Sequence, residues 1–170
     1  NKSGSVTVTD VVTTARYILN QNPTPFVFEA ADMNGDGNIT VTDVVLISRL
    51  VMNAQMNMPR RMPSFEFTND CLSGDDITIG DGETRTVAIK LDNVNEYTAF
   101  QFEMSLPEGM TASDFTLTSR AGNHTIEAVP IGDGKMRVLC YSPVTDAIAG
   151  HDGALFAFNV TANRSVAGEI

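Results

Sequence analysis

The sequence predicts a two-domain α + β fold, a duplicated loop–helix pair followed by an antiparallel β-sandwich. Three observations predict it. An internal repeat recurs at an offset of 33 positions. An Asp/Asn/Gly-rich loop precedes the helical stretch of the repeat. Past about residue 64 the apolar spacing changes from helical to alternating. At 170 residues the chain has room for two small domains. The reading places the loop–helix domain at 1–57, a linker at 58–63 and the sandwich at 64–170.

The repeat comes first because it sets the frame for everything after it. Residues 1–20 read NKSGSVTVTDVVTTARYILN and residues 34–53 read NGDGNITVTDVVLISRLVMN, identical at 10 of 20 positions. After each shared Asp the pattern turns helical. Val11, Ala15, Ile18 and Leu19 fall on one face, and Val44, Ser48, Val51 and Met52 take the same places in the second copy. Two such helices can pack apolar face to apolar face about a pseudo-twofold axis. The connector Gln21-Asn22-Pro23-Thr24-Pro25 ends the first helix, and Phe26, Val27 and Phe28 supply anchors before the second loop. The run MNMPRRMP at 56–63 has no sustained period and reads as hinge or linker.

The following strands alternate. Val87, Ile89 and Leu91 make one set; Phe100, Phe102, Met104 and Leu106 another; Met136, Val138 and Cys140 a third; Phe156, Phe158 and Val160 a fourth. Turn residues separate them at Asp81-Gly82, Asn93, Pro107-Glu108-Gly109, Gly132-Asp133-Gly134 and Gly150. Short alternating strands with regular turns predict an antiparallel sandwich or barrel. The closing Ala167-Gly168-Glu169-Ile170 reads as the opening of a further strand.

The second repeat carries the chemistry. Calcium prefers six to eight oxygens, and a twelve-residue loop supplies them from positions 1, 3, 5, 7, 9 and 12. Those positions are Asp32, Asn34, Asp36, Asn38, Thr40 and Asp43. Asp32, Asn34 and Asp36 offer side-chain oxygens, Asn38 its main-chain carbonyl, and Thr40 acts through water. Gly37 stands at the sharp turn, where φ is positive, and Ile39 is the apolar anchor. Asp43, shorter than the usual Glu at position 12, also stands where a helix is capped. The expected ion is Ca2+, in a structural role. In the first copy Asn1, Ser3, Ser5 and Asp10 take positions 3, 5, 7 and 12, with Gly4 at the turn. Position 1 falls two residues upstream of Asn1, so the natural chain is expected to continue there. With Ser3 replacing a carboxylate, this site is the weaker and incomplete one.

A loop followed by a helix, duplicated, with Asp at position 12 and no long entering helix, resembles the dockerin type I repeat. The resemblance covers residues 1 to about 55. It implies a docking face that binds a cohesin β-sandwich, in cis or in trans, through Val41, Thr42, Ser48 and Arg49, or through Val8, Thr9, Ala15 and Arg16 in the first copy. Tyr97-Thr98-Ala99-Phe100-Gln101-Phe102-Glu103-Met104-Ser105-Leu106-Pro107 is similar to a strand of cohesins and carbohydrate-binding modules. Gly153-Ala154-Leu155-Phe156-Ala157-Phe158-Asn159-Val160 looks like a late strand of the same cohesin or jelly-roll-like sandwich. Both halves of a docking pair in one chain imply either assembly into larger complexes or a sandwich that braces its own dockerin.

Composition narrows the alternatives. A net charge of −10 argues against nucleic acid, and no run approaches the length of a membrane span. The chain has no Trp, which weakens a carbohydrate-binding reading that depends on aromatic stacking; possible polysaccharide contact stands as the alternative. His124 and His151 are the only histidines, with no HExxH, GxSxG or phosphate-binding glycine loop, so no enzyme is expected. Cys71 and Cys140 fit two buried thiols or a disulfide equally well. The resemblance implies a secreted or cell-surface protein tied to polysaccharide degradation.

Overall fold

The computed structural model describes residues 5–52 and 69–163; the predicted linker at 58–63 lies outside the described residues. Three helices come first: α1 (Val8–Ile18), the single turn α2 (Phe28–Ala31) and α3 (Val41–Val51). α1 and α3 start alike because their sequences do. Thr7 and Thr40 hold the extended N-cap position, and Asp10 and Asp43 reach back to the cap N–H in a capping box. α1 stops where Asn20 turns left-handed at φ 57. There the Asn20 and Gln21 N–H groups bond Tyr17 O and Arg16 O, using carbonyls the helix leaves open.

Val11, Ala15, Ile18 and Leu19 of the first copy are buried against Val44 and Ile47 of the second. Ser48 is buried as well, and its hydroxyl donates to Val44 O at 2.8 Å, so its polar group is satisfied. The seam expected for the second copy is corrected at its end. Met52 is 52% exposed and Val51 half-buried, with Ile47 taking the inward place. The sandwich described next covers the other end of the pair.

Seven strands follow among the described residues. β1 (Cys71–Gly74), β2 (Thr84–Asp92), β7 (Ala154–Ala162) and β4 (Met110–Leu117) form one antiparallel sheet in that order. β3 (Ala99–Ser105), β6 (Lys135–Tyr141) and β5 (Thr125–Gly132) form the other. Phe100 and Phe102 meet Phe156 across the layers at ring-centroid distances of 6.2 and 6.1 Å, and Phe115 stacks on Phe158 at 4.9 Å. Pro130 sits in β5, an edge strand, where a missing N–H breaks no interior ladder.

Two polar latches fix the loops. Asp70 accepts from the Val94 and Asn95 N–H groups and the Tyr97 hydroxyl. The Arg120 guanidinium donates to the carbonyls of Leu91, Ala149, Gly150 and Gly153 and to Asn93 Oδ1. Cys71 is exposed on β1 and Cys140 buried on β6, and both are free thiols in different sheets. Neither the disulfide nor the pair of buried thiols holds.

β6 joins the two modules. Register places Val138 and Cys140 beside Phe102 and Phe100, facing the sandwich core, and Leu139 and Tyr141 beside Gln101 and Ala99 on the outer face. Leu139 is 0% exposed and Tyr141 3%. Both belong to the apolar cluster of α1 and α3. The helix pair therefore lies on the outer face of the three-stranded sheet, with α3 against β3 and β6.

Candidate calcium loop and docking interface

The second loop closes through main-chain N–H groups aimed at its own side-chain oxygens. Asp32 Oδ1 accepts from Gly35 and Asp36 N–H at 2.8 and 3.1 Å, and its Oδ2 from Gly37 N–H at 2.9 Å. Asn34 Oδ1 accepts from Asp36 N–H at 3.1 Å, and Asp36 Oδ1 from Asn38 N–H at 2.8 Å. The Asn34 side-chain amide on Asp36, with the Asn38 N–H, holds the Asp36 carboxyl below the usual carboxylate range. Gly35 and Gly37 take φ of +69° and +82°, a region closed to most side chains.

Asp43 closes the loop at its far end. It is 0% exposed; Oδ1 accepts from Met33 N–H at 2.8 Å and Oδ2 from Thr40 N–H at 2.9 Å. None of Asp32, Asp36 and Asp43 pairs with a basic side chain among the described residues. Three carboxylates within twelve residues and no cation, one of them buried, is a donor set suited to a hard dication. Asp32 Oδ2, Asp36 Oδ1 and Asp43 Oδ1 each accept one of these hydrogen bonds and keep a second lone pair for a ligand. Counting carboxylates, imidazoles and thiols alone, no three converge as a metal site among the described residues. The fit therefore lies in the oxygen chemistry of the mixed set: Asp32, Asn34, Asp36, the Asn38 carbonyl, Thr40 and Asp43. In the first copy Asn1 and Ser3 lie outside the described residues, Ser5 is exposed, and Asp10 makes the Thr7 cap at 2.9 Å.

The residues assigned to docking separate into two groups. Ala15 and Ser48 are fully buried between the helices, which removes them from any exposed face. Arg16, Arg49, Val8 and Thr9 are exposed, and Thr42 half-buried. Val41 packs into the shared cluster and donates its N–H to Gln101 Oε1 at 3.3 Å. At the opposite helix end Arg137 Nη1 donates to Ile18 O at 3.0 Å, while its Nη2 donates to Glu103 at 2.7 Å. A helix N-terminus thus meets an amide oxygen and a helix C-terminus meets a guanidinium, each the favourable partner for that end. A cleft beside them is lined by Asp36, Asn38, Thr40, Gln101 and Arg137, so the loop borders the sheet. Burial pushes the Cys140 thiol up to about 12 and, together with the Glu127 charge, the Tyr141 hydroxyl up to about 12.

Gln101, Arg137, Leu139 and Tyr141 are the interface residues that sequence reading misses. Their signal is the unbroken apolar run at 138–141, which marks a strand covered on both faces rather than one.

No curated protein matches the chain. Among solved structures, a non-cellulosomal cohesin from the archaeon Archaeoglobus fulgidus is similar at 20% identity and a TM-score of 0.43, over 49% of this chain and 58% of that one. The chain thus spans less than two thirds of that protein. The sixth cohesin of Acetivibrio cellulolyticus scaffoldin B, solved with a mutant Cel5 dockerin, gives 22% identity and a TM-score of 0.43, over 59% and 75% of the two chains. A type II cohesin–X-dockerin complex from the same organism gives 11% identity and a TM-score of 0.43, over 57% and 72%. Likeness at this score is too loose to define the fold, which rests on the strand pairing itself. Residues 1–52, the duplicated loop–helix pair, match the family model of the dockerin type I domain.

Proposed function

We propose that the chain is a non-catalytic, calcium-stabilised docking module of a secreted or cell-surface protein, whose partner is a cohesin-type β-sandwich. The observation that carries this reading is the dockerin match over residues 1–52, whose helix pair rests on a β-sheet face of its own chain. Within that reading, 1–57 is the docking domain, 58–63 the linker and 64–170 the sandwich, which braces the dockerin in cis. Ca2+ held by Asp32, Asn34, Asp36, Asn38, Thr40 and Asp43 supplies the cation that the loop's carboxylates lack and fixes the start of α3. Asn1, Ser3, Ser5 and Asp10 form the weaker first site. Polysaccharide relates to the larger protein rather than to this sandwich. Of its two tyrosines, Tyr141 is buried and the Tyr97 hydroxyl is held by Asp70, leaving neither as a flat stacking platform.

Retention on two supports tests this reading, one carrying a cohesin sandwich and one carrying insoluble polysaccharide. Capture by the cohesin in calcium but not in chelator is expected. Retention on polysaccharide with no cohesin binding contradicts it.

A further inference from the structure

Asn34 is followed by Gly35, the one Asn-Gly pair in the chain. Both residues are exposed, and a Cβ added at Gly35 would meet no atom beyond its chain neighbours within 4 Å. The Gly35 main-chain nitrogen is therefore crowded neither by a side chain of its own nor by packing around it. The loop also arranges the groups around that nitrogen. Asn34 Oδ1 accepts the Asp36 N–H at 3.1 Å, a turn closed by the side chain that folds the carboxamide over the Gly35 peptide. That donor is in place to stabilise negative charge on Oδ1 during an attack at Cγ. The Gly35 N–H itself points at Asp32 Oδ1, 2.8 Å away. Asn38 lies in the same loop and is also exposed, but the β-branched Ile39 follows it.

We propose that Asn34 is a site of self-modification, at which the loop deamidates through its own backbone. The Gly35 nitrogen bonds to Asn34 Cγ, the Cγ–Nδ2 bond breaks, and the Gly35 proton passes through water to the departing nitrogen, which leaves as ammonia. Water then opens the five-membered imide. Cleavage of the new bond to Cγ leaves an aspartyl residue at position 34; cleavage of the original main-chain bond leaves an isoaspartyl one. No oxidant and no enzyme is needed. The first product adds a carboxylate to the loop. The second inserts a methylene into the main chain between oxygen donors whose spacing the loop fixes. An ion held by Asp32, Asn34 and Asp36 would pin the carboxamide by its oxygen and oppose ring closure. The loop then keeps its sequence while loaded and ages without the ion. Only this protection rests on the calcium reading above; the site itself rests on the loop geometry.

The test incubates the unaltered full chain in mildly alkaline buffer, in chelator and in excess calcium. Its peptides are followed by mass spectrometry, with isoaspartate read separately by enzymatic methylation. In chelator the peptide carrying Asn34 should gain about 1 Da, placed at that residue by fragmentation, with isoaspartate the larger product. Asn38 and Asn123 should stay unchanged over the same time. Gly35→Ala should slow the reaction by about tenfold or more, because a Cβ crowds the attacking nitrogen. Calcium at about a hundred times its dissociation constant leaves about one loop in a hundred free, and should slow the reaction by about a hundredfold. If Asn34 reacts no faster than Asn38 and Asn123 in chelator, the inference is overturned and the calcium reading is untouched. Aspartate without isoaspartate, or an unaltered rate in Gly35→Ala, overturns it in the same way. Reaction at Asn34 that calcium does not slow supports the modification site and contradicts the calcium reading of the loop instead.

Discussion

The carboxylate of Asp43 is fully buried and accepts the N–H groups of Met33 and Thr40, so it caps α3 and closes the loop before any ion is considered. Asp43→Ala should therefore cost about 2–3 kcal/mol in a urea melt even in chelator, because two donors lose their acceptor. Asp36, exposed and bonded only within the loop, should cost much less in chelator and show its effect only in calcium. The two thiols differ just as sharply. Cys71 is exposed and should react with a thiol reagent at pH 8 at one equivalent per chain, Cys140 only after unfolding. Cys140 and Tyr141 are both raised to about 12 from ordinary values of 9.0 and 10.0. The stability carried by their neutral forms is complete below about 9 and is lost as the pH rises toward 12. Alkaline titration of the melting temperature reads this directly, with Cys140→Ser shrinking the slope above pH 9.

Elements with an unbroken period are legible in the sequence. The two helices follow from the repeat and their caps, and β2, β3 and β7 from alternation over four or more residues; in β6 the alternation of Met136, Val138 and Cys140 is overlaid by apolar Leu139 and Tyr141. The rest hides for identifiable reasons. β1 is a short edge strand, exposed at every position, so it carries no burial pattern. β4 breaks its alternation at Asp114, which takes φ 55 beside an irregularity in the pairing with β7. β5 contains Pro130, which reads as a strand breaker until its edge position is known. The candidate calcium loop is legible because the oxygen donors proposed for it sit within twelve residues. The docking surface is not, because Ala15 and Ser48 become buried only once both helices are paired. Arg120 is invisible for the same reason, its partners lying about thirty positions away. Arg120→Lys should lower sandwich stability by about 2–3 kcal/mol in a denaturant melt, since one ammonium cannot span carbonyls that a planar guanidinium reaches together.

For the whole molecule, the shared cluster of α1, α3, Leu139 and Tyr141 makes the two modules thermodynamically dependent. A helical domain of about 55 residues buries only about 60% of its unfolded surface and is marginal alone. Packing on β6 raises it, and the ion proposed for the second loop would raise it further. Leu139→Ala should cost about 2–5 kcal/mol through the cavity it leaves, and it should loosen the helix pair more than the sandwich, which separate circular-dichroism and near-ultraviolet melts distinguish. Calcium at about a hundred times its dissociation constant adds roughly 2.7 kcal/mol per site, comparable with the margin of so small a domain. The most direct measurement is thermal unfolding of the chain in excess calcium and in chelator, with Asp36→Ala alongside. The expected result is a rise in melting temperature with calcium that Asp36→Ala abolishes. An unfolding curve unmoved by calcium in the unaltered chain would contradict the metal-stabilised docking module.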